Sequence, residues 1–270
     1  MPNYFAHLLF GARVLKALPP EAAEPIRAQR ESFNLGCLGP DPLFFYRPIR
    51  ANPVRREGME MHKESARPVL ERLVRAVRNG VPQAEGYAAG FLCHFSLDAA
   101  CHPYVNARAA EGTLAHLAIE AELDRRLIER RGLASKGRAY LPAIWDEAVF
   151  RAASAAYLEA GPEEVRRGYA SMRKDTLLFA KGYGNLAGRV ADRVIRSIPA
   201  TQELKGVILR DQPAPGSEVC CRELLALLQE QVAGTAERLL EFRDCVRLGG
   251  RLPGWCDQDF NGVAHPRDHT

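Results

Sequence analysis

Histidine and acidic residues recur at four-residue steps in two neighbouring stretches of the sequence. His94, Asp98 and His102 follow one another in HFSLDAACH, and HLAIE repeats the step with His116 and Glu120. Because an α-helix turns once every 3.6 residues, each set would share one helix face. Imidazole and carboxylate donors without thiolate are typical of catalytic zinc sites. The spacing therefore predicts chemistry at a metal centre.

Apolar residues surround both stretches, which predicts that their polar side chains are buried. Phe91, Phe95 and Leu97 flank the first stretch, and Leu117 and Ile119 flank the second. A buried charge requires a partner or a metal ion. Besides a multi-metal site, two interpretations stay open: a hydrogen-bonded polar core without metal, and exposed residues on amphipathic helices.

The composition fits one large domain and excludes few functions. The chain has 270 residues with 37 basic and 33 acidic side chains, a balance that does not by itself predict a nucleic-acid-binding surface. Its seven cysteines do not form the regular framework of a small secreted domain, so we expect reduced thiols.

The first helix-like segment, residues 4–18, does not read as a secretory signal. Nothing basic precedes it, His7 interrupts it and no small-residue cleavage site follows. The most apolar run, residues 88–101, contains His94 and Asp98 and is too short to span a membrane. We therefore expect a soluble, cytoplasmic protein with at most peripheral membrane contact.

Helical periodicity without sustained strand alternation predicts an all-α, multi-helical single domain over residues 1–250, followed by a polar tail over residues 251–270. Pro68 is expected to kink its helix and Pro103 to end the one that carries His94. GYGNLAG, residues 182–188, is expected to be a turn between helices, and His265 and His269 are expected to be exposed. The predicted helices span residues 4–18, 21–32, 59–79, 83–104, 113–131, 143–160, 163–182, 186–198 and 218–248.

Three residues earlier in the chain are further candidates. Asp41 lies between two prolines in LGPDPLFFY, residues 38–46, a loop expected to be rigid enough to present one carboxylate. The competing interpretation is an ordinary turn aspartate. His7 and His62 occur in helical patterns, where a core histidine competes with a ligand. The aromatic residues 44–46 are expected to pack in the core rather than line a substrate pocket.

Taken in order, His7, Asp41, His62, HFSLDAACH and HLAIE resemble the ligand series of the zinc-dependent phospholipase C family, whose site fungal single-strand nucleases share. The resemblance covers roughly residues 2–125. It implies an all-helical phospholipase C/nuclease-like bundle with up to three zinc ions and hydrolysis of phosphodiester bonds.

The resemblance also implies a ligand set. One zinc ion would be held by Asp41, His62, His94 and Asp98, a second by His102, His116 and Glu120, and a third by His7 together with Asp98 as a bridge. Asp41, on its rigid loop, is the candidate to orient or deprotonate the attacking water, because it can offer one oxygen to the metal and one to the water. We expect two zinc ions, and a third if the Pro2 amine replaces the N-terminal Trp of the secreted relatives.

The leading functional prediction is a zinc-dependent phosphodiester hydrolase of phospholipase C type. A nuclease or nucleotidase on the same site is one alternative, and a non-catalytic metal-binding helical protein is another. The expected partner is a phosphoester substrate, with a phospholipid head group as one candidate, and no stable nucleic-acid partner is expected. The sequence does not predict an oligomeric state.

Overall fold

The structure, a computed structural model, describes residues 4–48, 50–180 and 212–266, together with residues 186, 189, 190, 193, 197 and 208. Its regular structure is helical, which confirms the all-α prediction, and these residues contain no β-strand. None of the helices among them is long and apolar enough to span a membrane. The predicted helix 186–198, the GYGNLAG turn and His269 lie outside the described residues, wholly or in part.

The helices follow one another closely in the first half of the chain. They are α1 (Tyr4–Ala17), α2 (Pro20–Ala28), α3 (Arg30–Gly36), α4 (Asp41–Phe44), α5 (Pro53–Met61), α6 (Arg67–Arg78), α7 (Ala84–Ala110), α8 (His116–Arg130), α9 (Glu147–Ser154), α10 (Pro162–Ala180) and α11 (Ser217–Leu248). A 3-10 helix, Gly254–Asp257, follows α11.

The chain divides into two compact units. The first unit comprises Met1–Ala6, Pro103–Leu141 and Met172–Leu227, and the second comprises His7–His102, Pro142–Ser171 and Leu228–Thr270. The predicted single domain over residues 1–250 stays a prediction. Within the second unit, Cys256 and Phe260 are fully buried, so the segment expected to be a polar tail contributes to a core.

Three expectations about proline were wrong. Pro68 does not kink a helix but occupies the first turn of α6, and Pro42 likewise begins the short α4 where a loop was expected. Proline suits these positions because a helix needs no amide donor in its first turn. Pro103 does not end α7, which continues to Ala110. It is exposed, so water can satisfy the carbonyl that its ring leaves without a partner.

The part of α7 that carries His94 is buried on every side, since no residue from Gly86 to Asp98 is exposed. This part of α7 crosses α3 so closely that the backbones of the two helices are in contact. A Cβ atom on Gly90 would lie 2.1 Å from the Phe33 carbonyl oxygen, and one on Gly36 would lie 2.2 Å from the Tyr87 carbonyl oxygen. This close crossing places the end of α3 beside the turn of α7 that leads to His94.

We predict that Gly90→Ala lowers the free energy of unfolding by about 3 kcal/mol, because its methyl group meets backbone rather than a movable side chain. Chemical denaturation checks this. Gly234→Ala is the matched control, since Gly234 lies within α11 with nothing within 4 Å of the added atom. It should stabilise the protein by up to about 1 kcal/mol. Equal effects of the two changes would contradict the backbone crossing.

Candidate metal centre

The polar residues of α7 share one face, as their spacing predicts. His94, Asp98 and His102 are 0 %, 1 % and 3 % exposed. The Asp98 carboxylate lies between the two imidazoles, with Oδ2 at 3.1 Å from His94 Nε2 and Oδ1 at 3.5 Å from His102 Nε2. One carboxylate therefore faces imidazole nitrogen with each of its oxygens.

Two further candidates reach the same carboxylate, from α1 and from the end of α5, and Asp41 of α4 lies beside one of them. His7 Nε2 lies 3.2 Å from Asp98 Oδ1, and His62 Nε2 lies 3.8 Å from Asp98 Oδ2 and 3.4 Å from Asp41 Oδ1. Asp41 is 1 % exposed, which is not typical of an ordinary turn aspartate. Helices distant in sequence thus bring their polar groups to one place within the second unit.

Two groups of ligand atoms within the second unit are close enough to hold a metal ion. His7, His94 and Asp98 form one group, and Asp41, His62 and His94 form the other, with the ligand atoms of each group within 4.8 Å of one another. His94 belongs to both groups. This arrangement resembles a site for adjacent cations that share ligands.

Backbone carbonyls set the orientation of two imidazoles. His94 Nδ1 lies 3.3 Å from the Cys37 carbonyl oxygen, and His62 Nδ1 lies 2.8 Å from the Gly58 carbonyl oxygen. A nitrogen that donates to a carbonyl leaves the other nitrogen as a lone-pair donor, which is the usual arrangement around metal-binding histidines. Both Nε2 atoms then point toward the carboxylates.

Four buried polar atoms of this cluster lack a hydrogen bond within the described residues. In the part of the chain that the structure describes, His7 Nε2, His62 Nε2, His94 Nε2 and Asp98 Oδ2 make none, although they lie close to one another. Burial without a hydrogen bond costs free energy unless a cation compensates it. The donor set, nitrogen and oxygen without sulfur, fits zinc.

Electrostatics favour the protonation states that bind metal. Burial would raise the pKa of Asp98, but the charges of His102, His94 and His7 hold it well below its usual range. Burial lowers the pKa of His94 and outweighs the opposing charge of Asp98. An ionised carboxylate and a neutral imidazole are the forms that coordinate a cation.

His116 and Glu120 lie one turn apart on α8, in the first unit. His116 Nε2 is 3.1 Å from Glu120 Oε1, and its Nδ1 is 2.9 Å from Asn106 Oδ1. Asn106, which lies between the predicted helices 83–104 and 113–131, belongs to α7, and its amide oxygen orients the His116 ring. The grouping of these two residues with His102 stays a prediction.

The backbone around Gly39 packs directly against a candidate ligand. Gly39 has a φ of +51°, and a Cβ atom there would lie 2.2 Å from His94 Cδ2. Its carbonyl accepts a hydrogen bond of 2.9 Å from the Tyr157 hydroxyl, which lies 2.6 Å from the Tyr87 hydroxyl. This buried tyrosine pair fixes the turn that precedes Asp41 and packs against His94.

The aromatic residues, the later histidine and the cysteines singled out in the sequence have different surroundings. Tyr46 is buried, as expected of core packing, whereas the half-buried Phe44 ring lies 5.1 Å from the His62 ring, centre to centre. His265 lies 3.3 Å from Asp259 and belongs to neither metal-binding group. The seven cysteines, all of them among the described residues, form no disulfide bond.

We predict that Gly39→Ala weakens zinc binding by more than 10-fold, because the added methyl group displaces the His94 ring. Competition with a chromophoric chelator measures this. Gly80→Ala is the matched control, since Gly80 has a φ of +68° but nothing within 4 Å. It carries a similar backbone strain, about 1 kcal/mol, and should leave zinc affinity unchanged. Unchanged affinity in Gly39→Ala would contradict His94 as a ligand.

Comparison with known proteins places this geometry in a family. The family model described as zinc dependent phospholipase C matches residues 6–174, more than half of the chain. The match begins just before His7 and continues past Glu120, beyond the span on which the sequence resemblance rests. No curated protein and no solved structure matches the chain. The residues matched by the family model include every candidate ligand, and the chain belongs to the zinc-dependent phospholipase C family.

Proposed function

We propose that this protein hydrolyses phosphodiester bonds at a zinc centre, in the manner of a phospholipase C. The observation that carries the proposal is the Asp98 carboxylate. It is 1 % exposed, each of its two oxygens lies close to an imidazole nitrogen, and its Oδ2 makes no hydrogen bond within the described residues. A buried carboxylate in this environment would suit a metal ligand.

The proposed ligand set follows the family resemblance. Asp41, His62, His94 and Asp98 would hold one ion, His7 and Asp98 would take part in holding another, and His102, His116 and Glu120 would hold a third. When bound, zinc polarises a phosphoryl oxygen and makes a water molecule a stronger nucleophile near neutral pH. The absence of thiolate among these ligands is typical of catalytic rather than structural zinc.

The ligands of the second unit differ in exposure, and this indicates the direction of substrate approach. The His62 side chain is 12 % exposed, whereas those of His7, Asp41, His94 and Asp98 are 2 % exposed or less. We propose that the phosphodiester enters on the His62 side, next to Phe44. Asp41, 3.4 Å from His62, is then placed to orient the attacking water.

The proposed substrate is a phosphodiester, with a phospholipid head group as the first candidate. Placement in the cytoplasm, as expected from the sequence, would offer soluble phosphodiesters and head groups at the inner membrane face. The protein would meet soluble phosphodiesters by diffusion and phospholipid head groups through peripheral contact with the membrane.

We predict zinc-dependent hydrolysis of bis(p-nitrophenyl) phosphate and of phosphatidylcholine vesicles. Removal of metal with a chelator should abolish turnover, and added zinc should restore it. Asp98→Asn keeps the size of the side chain but loses the bridging charge, so turnover should fall by more than about 100-fold. The readouts are p-nitrophenol and phosphocholine release.

Asp146→Asn is the matched control, because Asp146 caps α9 away from the cluster and asparagine caps a helix equally well. It should keep full activity. Hydrolysis of dinucleotides in preference to both substrates would instead favour the nuclease. Bound zinc without turnover of any phosphodiester would refute the hydrolase and leave a metal-binding protein.

A further inference from the structure

A segment near the C-terminus packs against the candidate metal centre although it lies outside the family match. The segment Leu252–His265, named here the C-terminal segment, follows α11, whereas the match ends at residue 174. Its Phe260 is fully buried in the second unit. The family pattern therefore does not account for this part of the environment of the ligands.

Phe260 contacts two candidate ligands at once. Its ring centre lies 4.9 Å from that of His62 and 5.8 Å from that of His94, and it also lies 6.0 Å and 5.3 Å from the ring centres of Phe91 and Phe95. The fully buried Phe260 ring therefore packs against two core phenylalanines and two candidate ligands, where it excludes water and restricts the rotation of both imidazoles.

The backbone of His62 depends on the same segment. His62 follows the last residue of α5 and begins the connection to α6, so no helix continues through it. The Asn261 side-chain amide donates a hydrogen bond of 2.8 Å to the His62 carbonyl. Asn261 is itself positioned by Asp259, whose Oδ1 accepts the amide hydrogens of Asn261 and Val263 at 2.8 Å and 2.9 Å.

Arg67 attaches the C-terminal segment to the start of α6. Its guanidinium donates to the Leu252 and Pro253 carbonyls at 3.1 Å and 2.8 Å and forms an ion pair with Asp257. The Ala66 amide adds a hydrogen bond of 2.9 Å to the Gln258 carbonyl. These bonds join the C-terminal segment to the start of α6, directly after the connection that contains His62. Each of the two parts therefore restricts the position of the other.

We propose that the C-terminal segment is a positioning element of the metal centre and that Phe260 holds His62 and His94 in the orientations that bind metal. The proposal rests on the proposed zinc site. Phe260 offers no ligand atom and acts only through the two imidazoles, so its effect appears in metal affinity and coordination geometry before it appears in catalysis.

The test compares zinc binding and the visible spectrum of the cobalt(II)-substituted protein in the full chain and three variants. Phe260→Leu keeps an apolar side chain but removes the flat ring. Arg67→Met releases the C-terminal segment without touching a ligand. Arg78→Met is the matched control, because Arg78 also donates to two backbone carbonyls, those of Cys245 and Val246, and contacts no candidate ligand.

We expect Phe260→Leu and Arg67→Met to weaken zinc binding by about 10- to 100-fold and to shift the cobalt absorption bands, whereas Arg78→Met changes neither. Circular dichroism of the metal-free proteins shows whether each variant keeps its helices. If Phe260→Leu does not fold, the same measurements on Arg67→Met and on Asn261→Ala test the positioning role.

The outcomes separate the two proposals. Wild-type affinity and spectrum in folded Phe260→Leu and Arg67→Met would overturn the positioning role and leave the zinc site intact. A wild-type protein that binds no zinc would overturn both. Zinc binding without turnover, with weakened binding in the two variants, would overturn the hydrolase and support the positioning role.

Discussion

The buried Asp98 carboxylate determines how the surrounding helices must be arranged. Asp98 ends the stretch of α7, residues 86–98, in which every residue is buried, and an isolated charge there would cost several kcal/mol. The surrounding imidazoles reduce this cost but do not hydrogen-bond to its Oδ2 within the described residues. A bound cation is the compensation that fits these atoms.

The fold can be understood as the means of bringing ligands to that carboxylate. Gly36 and Gly90 allow α3 and α7 to touch through backbone atoms, and the chain then turns at Gly39 directly against His94. The same turn leads into α4, whose first residue is Asp41. Side chains of any size at these glycines would separate the elements, so the shape of the site depends on residues that carry no chemistry.

The sequence predicts the part of this site that depends on local periodicity. The four-residue steps of His94, Asp98 and His102 predict a shared helix face, and the order of the ligands indicates the family. The sequence does not predict the Cys37 and Gly58 carbonyls that orient the imidazoles, because every residue has a carbonyl and only tertiary contact selects one. The sequence does not predict the role of Phe260, because the composition of its neighbours indicates only a polar tail, whereas the ion pair of Arg67 with Asp257 holds that segment in place.

The zinc centre is best tested by zinc-edge anomalous diffraction from crystals of the protein grown with zinc. We expect anomalous peaks at about 2.0 to 2.2 Å from His94 Nε2 and from the Asp98 carboxylate. We also expect Phe260 in contact with the His62 and His94 rings in the same crystals. Anomalous density elsewhere, with these imidazoles hydrogen-bonded to water or to one another, would contradict the zinc centre.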